Sequence, residues 1–336
     1  MKKFSEQMNK NKSIIVHNVS RSYDEEVALK NVSFEVNKGE IFGFIGPDGA
    51  GKTTLFRIIT TVLLADKGEV SVEGFDVVTE YKKIRKLIGY MPGRFSLYPD
   101  LSVEENLNFY ATIFGTTVKE NYHLIKDIYS QIEPFKKRLA GKLSGGMKQK
   151  LALSCALIHK PKVLVLDEPT TGVDAVSRVE FWEMLKILKK IGITIVVSTP
   201  YMDEASKCDR VALIQKAELM TVDKPENIIN GFEKEILSIR ADNIYKLLND
   251  LRIFKKTDSV LPFGQTVHYI EKGGEVENIN EIEKYLIEKG NKKIKIEKTK
   301  ANIEDCFMDL MGREEEVPKV LGVGVTKKVP KVLKVP

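Results

Sequence analysis

A glycine-rich segment, GPDGAGKT at residues 46–53, carries the residue types best suited to phosphate chemistry. It satisfies the pattern G-x-x-x-x-G-K-[ST] and lies between an apolar run, 41–45, and a helical pattern. In this context the glycines let backbone N–H groups turn toward phosphate, and the helix N-terminus adds partial positive charge. We expect Lys52 to reach the β- and γ-phosphates and the Thr53 hydroxyl to ligate Mg²⁺. A chance glycine-rich turn is the weaker interpretation, because strand, loop and helix follow in the required order.

Two adjacent carboxylates, Asp167 and Glu168, follow an almost wholly apolar run, VLVL at residues 163–166. Such a run is typical of a strand buried on both faces, and α/β sheets bind ligands at the carboxyl ends of their strands. Asp167 is therefore suited to the coordination shell of Mg²⁺, and Glu168 to orienting or deprotonating an attacking water molecule. A solvated acidic turn would be the common interpretation of the pair alone, and it becomes the weaker one beside the phosphate-binding loop.

A third segment, LSGGMKQK at residues 143–150, places a serine and two glycines at the start of an amphipathic helix. Ser144, Gly145 and Gly146 are consequently predicted to form a second phosphate-binding surface. The chain has no need of two such surfaces for one nucleotide, so the second is expected to serve a different subunit. A simple N-cap role for Ser144 is equally physical and does not exclude this hypothesis.

The elements that position these residues alternate along the chain. From residue 13 to about 225, short β-rich runs alternate with helical patterns, which indicates an α/β domain. The predicted strands cover residues 32–36, 41–45, 69–73, 163–166 and 193–197. The predicted helices cover residues 52–63, 102–114, 119–133, 146–159 and 176–190.

Residues 229–311 form a second unit in this prediction, compatible with a small ferredoxin-like α+β domain that carries one extra helix. Its predicted strands cover residues 235–240, 258–261, 266–270 and 293–298. Its predicted helices cover residues 243–251, 277–289 and 302–311. The flanking segments, 1–12 and 312–336, are predicted to be disordered tails, the first of them basic.

The charge balance narrows the class of partner. The chain has 336 residues and a net charge of +6, which is shared equally between the two tails and leaves residues 13–311 neutral. A nucleic-acid partner is therefore not expected. Three well-separated cysteines predict neither disulfides nor a zinc site. Neither a signal peptide nor an apolar run of membrane-spanning length is recognisable, so we expect a cytoplasmic chain that reaches a membrane only through a partner.

Taken in order, these motifs resemble those of the nucleotide-binding subunit of ATP-binding cassette (ABC) transporters. The resemblance covers residues 13–228, and Tyr23 lies where the family stacks an aromatic ring on adenine. The matching motifs are Walker A at 46–54, the signature at 143–149, Walker B at 163–168 and the D-loop at 171–174. The resemblance implies nucleotide contacts from Tyr23, Gly46, Asp48, Gly49, Ala50, Gly51, Lys52, Thr53, Thr54, Ser144, Gly145 and Gly146, metal contacts from Thr53 and Asp167, and a catalytic role for Glu168.

The fold implied by the resemblance is an α/β P-loop NTPase cassette, with a mixed sheet core and a helical signature subdomain, followed by the small α+β domain. The implied cofactors are ATP and Mg²⁺, and the implied activity is ATP hydrolysis coupled to transport. In the family, two cassettes sandwich two ATP molecules, each between one chain's Walker A and the other's signature. We therefore expect two partners, a second ATPase subunit (identical or different) and an integral membrane permease that holds the chain at the inner face of the cell membrane.

Finer details resemble one group within the family. GMKQK at 146–150, TGVD at 171–174 and ANIEDCF at 301–307 look like ATPases of ABC-2 type drug exporters. GPDG at 46–49 and LAGK at 139–142 look like the first ATPase half of tandem two-ATPase exporters. A translation-factor member of the family would carry a second Walker A motif, which the sequence lacks. A chromosome-maintenance ATPase would carry a long coiled coil between Walker A and Walker B, and Lys52 and Asp167 are too close in this sequence to contain one.

Two departures from the family pattern bear on hydrolysis. After GYMP at 89–92 the family has a Gln that touches Mg²⁺ and the attacking water, and this chain has Gly93. After VST at 197–199 the family has a switch His, and this chain has Pro200. We therefore predict that the chain's own site binds Mg-ATP tightly and hydrolyses it slowly, while its signature completes an active site on a different ATPase chain. Two alternatives stay open: Glu168 with water suffices in a homodimer, or the cassette regulates without significant turnover.

Two further regions have two interpretations each. Residues 94–115 lie where the family docks the coupling helix of the membrane subunit, and their aromatic side chains are equally compatible with a core. Residues 229–311 are expected to be a structural or dimerising appendage, with ligand sensing as the weaker alternative.

Overall fold

The computed structural model describes residues 11–315. Within this range the strands are β1 Lys12–Tyr23, β2 Glu26–Asn37, β3 Ile41–Ile45, β4 Lys67–Val72, β5 Phe75–Asp76, β6 Ile88–Met91, β7 Val163–Asp167, β8 Thr194–Thr199, β9 Arg210–Gln215, β10 Glu218–Asp223, β11 Ile236–Arg240, β12 Thr257–Phe263, β13 Thr266–Glu271 and β14 Lys295–Thr299. The helices are α1 Lys52–Ile59, α2 Tyr81–Ile84, α3 Val103–Ile113, α4 Val118–Tyr129, α5 Gly145–Leu157, α6 Ala175–Lys190, α7 Pro225–Asn230, α8 Ile244–Arg252, α9 Ile279–Glu288 and α10 Ile303–Glu315. Short 3-10 turns cover Glu133–Phe135, Ala140–Lys142 and Met202–Lys207.

The predicted tails overlap these elements slightly. Strand β1 begins at Lys12, and α10 continues to Glu315. The remainder of segments 1–12 and 312–336 lies almost entirely outside the described residues. Among residues 11–315, no helix has the length and the apolar content that a bilayer crossing requires.

A six-stranded sheet in the order β10-β9-β3-β8-β7-β6 carries the functional segments at one edge. Strands β9, β3, β8, β7 and β6 are parallel, and β10 pairs antiparallel at the margin. The central strands β3, β7 and β8 are buried throughout, in accord with their apolar sequences. Since β8 lies between β3 and β7, with Ile45 beside Thr199 and Asp167 beside Ser198, the carboxyl ends of all three strands meet.

A second sheet, antiparallel and ordered β2-β1-β4-β5, covers the other side of α1. One hydrophobic core joins this sheet, α1 and the central strands, and Phe34 of β2 packs edge-on against Phe44 of β3 with ring centroids 4.9 Å apart. Leu55, Phe56 and Ile58 of α1 are fully buried in this core. The helix that follows the phosphate-binding loop is thus held rigidly between two sheets.

Helices α3, α4 and α5 form a helical subdomain, and their buried residues share a second core with α6 and the six-stranded sheet. Sequence dictates where two of them begin, because Ser102 with Glu105 and Thr117 with Glu120 form complete capping boxes. Ser144 caps α5, and its hydroxyl accepts a hydrogen bond from the backbone N–H of Met147. The mixed sheet core with a helical subdomain is the predicted fold class.

The C-terminal sheet has the order β12-β13-β11-β14 and is wholly antiparallel, which is the strand arrangement of a ferredoxin-like unit. Residues including Leu237, Leu247 and Tyr269 give it a separate hydrophobic core, to which α8 and α9 contribute. Unlike α8 and α9, the final helix α10 does not pack into this separate core, because its Ile303 and Phe307 are buried in the core of the α/β domain. Helix α10 therefore ties the second unit to the first.

The hairpin of β9 and β10 was absent from the predicted elements. Its connecting residues, Lys216 and Ala217, both have positive φ, 45° and 70°. Hairpin turns of this backbone type usually contain Asn or Gly, so the sequence lacks the customary turn signal here.

Candidate functional site

The glycine-rich loop joins β3 to α1 and folds around the side chain of Lys52. The Lys52 ammonium donates to the carbonyls of Gly46 and Pro47 at 2.8 and 2.9 Å, and the residue is 3% exposed. Gly51 has φ +104°, and a Cβ there would lie 2.3 Å from the Ala28 carbonyl oxygen. Only glycine fits this position, and the backbone geometry explains why the motif requires it.

The acid pair stands at the end of β7, facing the same loop. The Ser198 hydroxyl donates to Asp167 Oδ1 at 2.7 Å, and the Glu168 N–H donates to Ser198 Oγ at 3.0 Å. Glu168 has φ +49°, the left-handed region, and its Oε1 lies 3.3 Å from Lys52 Nζ. The fold thus brings the Lys52 ammonium into one site with the two carboxylates, which are far from it in sequence.

An open cleft of about 650 Å³ lies over this site. It is lined by Tyr23, Glu26, Ala28, Asp48, Gly49, Ala50, Gly51, Lys52, Thr53, Thr54, Arg57, Tyr90, Pro92, Gly93, Arg94, Asp167 and Glu168. Gly46 is not among the lining residues, and its carbonyl contributes through the bond to Lys52. The remaining predicted residues of the loop, the acid pair and Tyr23 all line the cleft.

Tyr23 also lines the cleft, at the turn between β1 and β2. The residue is 40% exposed, and the Arg21 guanidinium carbon lies 5.1 Å from its ring centroid. An exposed aromatic face of this kind can stack on a flat heteroaromatic base. Glu26, which pairs with Tyr23 across the strands, adds a carboxylate to the same part of the lining.

The predicted site residues did not include four polar residues that line the cleft: Glu26, Arg94 and the neighbouring pair Arg57 and Tyr90. Burial and the charge of Asp167 raise the pKa of Tyr90 to about 12, while the Arg57 guanidinium acts in the opposite direction. Tyr90 lies on β6, next to β7, so its place near the carboxyl edge of the sheet was the available signal. Both side chains add hydrogen-bonding groups beside the acid pair.

The structure places Ser144, Gly145 and Gly146 outside this cleft, at the start of α5. Ser144 and Gly145 are exposed, whereas Gly146 packs against Ser177 of α6. A Cβ on Gly146 would lie 2.6 Å from Ser177 Oγ, so this contact requires glycine. Within one chain, therefore, the predicted second phosphate-binding surface does not meet the first.

The two residues that depart from the family pattern, Gly93 and Pro200, occupy different positions relative to the cleft. Gly93 lines it, and a Cβ at this residue would lie 3.2 Å from the Asp167 carbonyl and 3.8 Å from Asp167 Oδ2. Pro200 follows β8 and does not line the cleft. No histidine is among the described residues that line it.

The oxygen donors in the cleft fit a magnesium ion. The Thr53 hydroxyl and the Asp167 carboxylate both line it, and Mg²⁺ prefers such oxygen ligands. Within residues 11–315, no group of three or more His, Cys, Asp and Glu side chains is arranged to hold a metal. A hydroxyl and a carboxylate together suit Mg²⁺, which usually combines one or two protein groups with substrate phosphates and water.

Fold and site together define a P-loop nucleotide-binding domain. Residues 29–171 match the family described as ABC transporter. Nod factor export ATP-binding protein I of Burkholderia pseudomallei (strain 1710b) is 33% identical over 300 residues, which cover 88% of this chain and 96% of that protein. The chain therefore belongs to the ATP-binding subunits of ABC transporters, a family of ATPases, as the motifs predicted.

Other relatives and solved structures agree. The probable multidrug ABC transporter ATP-binding protein YbhF of Escherichia coli (strain K12) is 37% identical over 295 residues, or 86% of this chain. The matched region spans 50% of the length of that relative. A structure described as the ATP binding subunit of an ABC transporter superposes with a TM-score of 0.60 at 26% identity, covering 66% of this chain and 93% of its own.

A dimeric post-hydrolysis structure of the ATP-binding cassette MJ0796, bound to ADP and Pi, superposes with a TM-score of 0.58 at 27% identity. The match covers 63% of this chain and 98% of that one. The matched share of this chain is about as long as the predicted cassette of residues 13–228.

Proposed function

We propose that this chain is the ATP-binding and hydrolysing subunit of an ABC-2 type exporter. The observation that carries the proposal is the single cleft in which the phosphate loop, Lys52 and the pair Asp167 and Glu168 meet. Export is supported by the relatives, one named for multidrug transport and another for Nod factor export.

Each group in the cleft has a chemical task in this proposal. The base of ATP stacks on Tyr23, and the phosphates accept hydrogen bonds from the loop N–H groups and from Lys52. Lys52 then exchanges its contacts with Gly46, Pro47 and Glu168 for the phosphate oxygens. Thr53 and Asp167 would hold Mg²⁺, which neutralises charge on the β- and γ-phosphates when bound. Glu168 orients the attacking water molecule or accepts its proton.

We further infer that this site is the weakly hydrolysing member of an asymmetric pair. Gly93 offers no side-chain amide to water or metal, and Pro200 offers no imidazole near the γ-phosphate. The exposed Ser144 and Gly145, outside the chain's own cleft, remain available to nucleotide held by a second ATPase subunit. A regulatory cassette that binds ATP without significant turnover is the alternative, and the same two departures favour it.

The permease is proposed to dock at an apolar groove of about 390 Å³ between the sheet core and the helical subdomain. Val62, Tyr110, Ile113 and Phe114 line it, and Val62 and Ile113 are 61% and 59% exposed. Among the aromatic side chains of segment 94–115, Phe95, Tyr98 and Phe109 are exposed and Tyr110 and Phe114 are half-buried, which favours docking over a core role in this proposal. Such docking would hold the chain at the inner face of the membrane.

The proposal is tested by nucleotide binding and turnover of the purified chain. Lys52→Ala should abolish Mg-ATP binding measured by titration calorimetry, while Glu168→Gln should retain binding. We expect slow steady-state phosphate release from the unmodified chain. Unchanged ATP affinity in Lys52→Ala would refute the nucleotide site, and brisk turnover abolished by Glu168→Gln would refute the asymmetric pairing.

ATP turnover, measured after a second ATPase chain is added, distinguishes an exporter subunit from a regulatory cassette. An exporter subunit raises hydrolysis in the assembled pair through its signature, and Ser144→Arg in this chain should remove that increase. A regulatory cassette leaves the partner's turnover unaffected by this substitution.

A further inference from the structure

A fully buried carboxylate, Glu204, follows the strand that ends beside the acid pair. It is 0% exposed and lies in the 3-10 turn Met202–Lys207. Glu204 Oε2 accepts a hydrogen bond from Thr170 Oγ1 at 3.1 Å. Glu204 Oε1 accepts from Arg178 Nε at 3.1 Å and lies 3.0 Å from Arg178 Nη2. The ring of Tyr201 lies 4.2 Å from the guanidinium carbon of Arg178 and completes its surroundings.

These contacts hold the segment that supports the signature. Arg178 lies in the first turn of α6, next to Ser177, which the Asp174 side chain caps. Ser177 is the residue against which Gly146 packs, at a separation too small for any side chain on Gly146. A contiguous path of packed groups thus runs from Glu204 through α6 to the start of α5.

Because Glu204 is buried, its carboxylate depends on these partners. A buried carboxylate is stable only when charged or polar partners satisfy it, and the removal of one partner leaves the other desolvated and unpaired. Asp203 contacts the same guanidinium at 3.2 Å, but its side chain is 71% exposed and water screens its charge. Glu204 therefore fixes Arg178, and Asp203 contributes little.

We propose that Glu204 is a positioning residue for the partner's nucleotide: it fixes the first turn of α6 and, through Ser177, the place of Ser144, Gly145 and Gly146. The inference rests on the proposed function in one respect, that the signature meets nucleotide held by another subunit. Glu204 does not line the chain's own cleft. Its removal should therefore loosen the signature and leave the chain's own ATP affinity unchanged.

Hydrogen exchange of the full chain tests the proposal. In Glu204→Ala, peptides covering 144–152 and 170–180 should exchange about tenfold faster or more, since a hydrogen bond to a charged group has been lost. Peptide 52–59, in α1, should change less than about twofold, because it lies in another core. Asp203→Ala is the matched control, which removes the exposed acid from the same arginine and should leave all three peptides near the unmodified rates.

Two milder variants keep the test valid if Glu204→Ala does not fold. Glu204→Gln and Thr170→Val preserve most of the volume and should show the same local pattern with smaller amplitude. Unchanged exchange in 144–152, or an equal rise in 52–59, would overturn the proposal, the second result assigning Glu204 to general stability.

ATP affinity separates this inference from the proposed function. Calorimetry of Glu204→Ala should give a dissociation constant for Mg-ATP within about twofold of the unmodified chain, since its own cleft is intact. A large loss of affinity would contradict a role confined to the signature. Retention of ATP binding by Lys52→Ala would instead refute the proposed nucleotide site and leave the exchange result standing.

Discussion

Introduction of a glutamine at position 93 and a histidine at position 200 should speed hydrolysis at the site that we propose to be slow. The perturbation is the double variant Gly93→Gln with Pro200→His. Gly93 has a backbone conformation outside the left-handed region, so a side chain can be accommodated. The Cβ of the new residue would lie 3.8 Å from Asp167 Oδ2 and would need a shift of a few tenths of an ångström from the Asp167 carbonyl, 3.2 Å away. A glutamine amide at this position is thus directed to the vicinity of the acid pair.

The expected gain follows from transition-state electrostatics. Each polar group that stabilises the developing charge contributes about 10²–10³ in rate. In the proposal both new side chains act on the same γ-phosphate, so their effects are not expected to add, and about 10²-fold is the conservative expectation for the double variant. Release of phosphate from Mg-ATP by the purified chain measures it.

Three controls make the result interpretable. Gly93→Ala supplies the Cβ without the amide and should leave turnover at the unmodified level. Glu168→Gln in the double-variant background should abolish the gain, which shows that the chain's own site produces it. Mg-ATP affinity should remain unchanged. A double variant that binds ATP normally and hydrolyses it no faster than the unmodified chain would refute the reasoning that these two positions limit hydrolysis.

Three further predictions concern binding, folding and pH. Tyr23→Ala should weaken Mg-ATP binding by about tenfold to a hundredfold through lost stacking, with Tyr23→Phe unchanged in the same titration. Gly51→Ala should lower the melting temperature, because φ +104° and a contact of 2.3 Å with the Ala28 carbonyl cost about 1–3 kcal/mol or more. Gly49→Ala, where φ is +80° and no atom lies within 4 Å, should lower it less. Burial lowers the pKa of His159, so the unfolded chain binds more protons and stability falls as the pH drops below about 6.5. Urea unfolding of His159→Gln at pH 7 and pH 5 should show a smaller decrease than the unmodified chain, and an equal decrease would contradict this.

Much of the cleft was predictable from local sequence. The geometry of the loop at 46–53 can be predicted from local sequence, because its glycines, its lysine and the flanking strand and helix are adjacent in the chain. The apolar run before Asp167 likewise predicts a buried strand with a carboxylate at its end. Strands β3, β7 and β8 coincide closely with apolar runs in the sequence, because a strand that is buried on both faces has apolar residues at nearly every position.

Other features depended on residues distant in the chain. The hairpin turn at Lys216 and Ala217 has no customary signal and is stabilised by pairing of the strands on either side. Arg57 and Tyr90 enter the cleft only because α1 and β6 are adjacent to it in space. The final helix carries an ordinary amphipathic pattern, and nothing in that pattern indicates that it packs on the α/β domain and not on its own sheet.

The sequence by itself determined the phosphate loop, the acid pair, the signature and the absence of Gln and His at positions 93 and 200, since each is a matter of residue type and short spacing. Tertiary structure decided which of them share a site. Parallel pairing of β3, β8 and β7 brings Lys52 within 3.3 Å of Glu168 and leaves Ser144 on a separate surface. It also buries Glu204 between Thr170 and Arg178. The physical reason is that contacts across a sheet depend on strand order and register, which no single segment specifies.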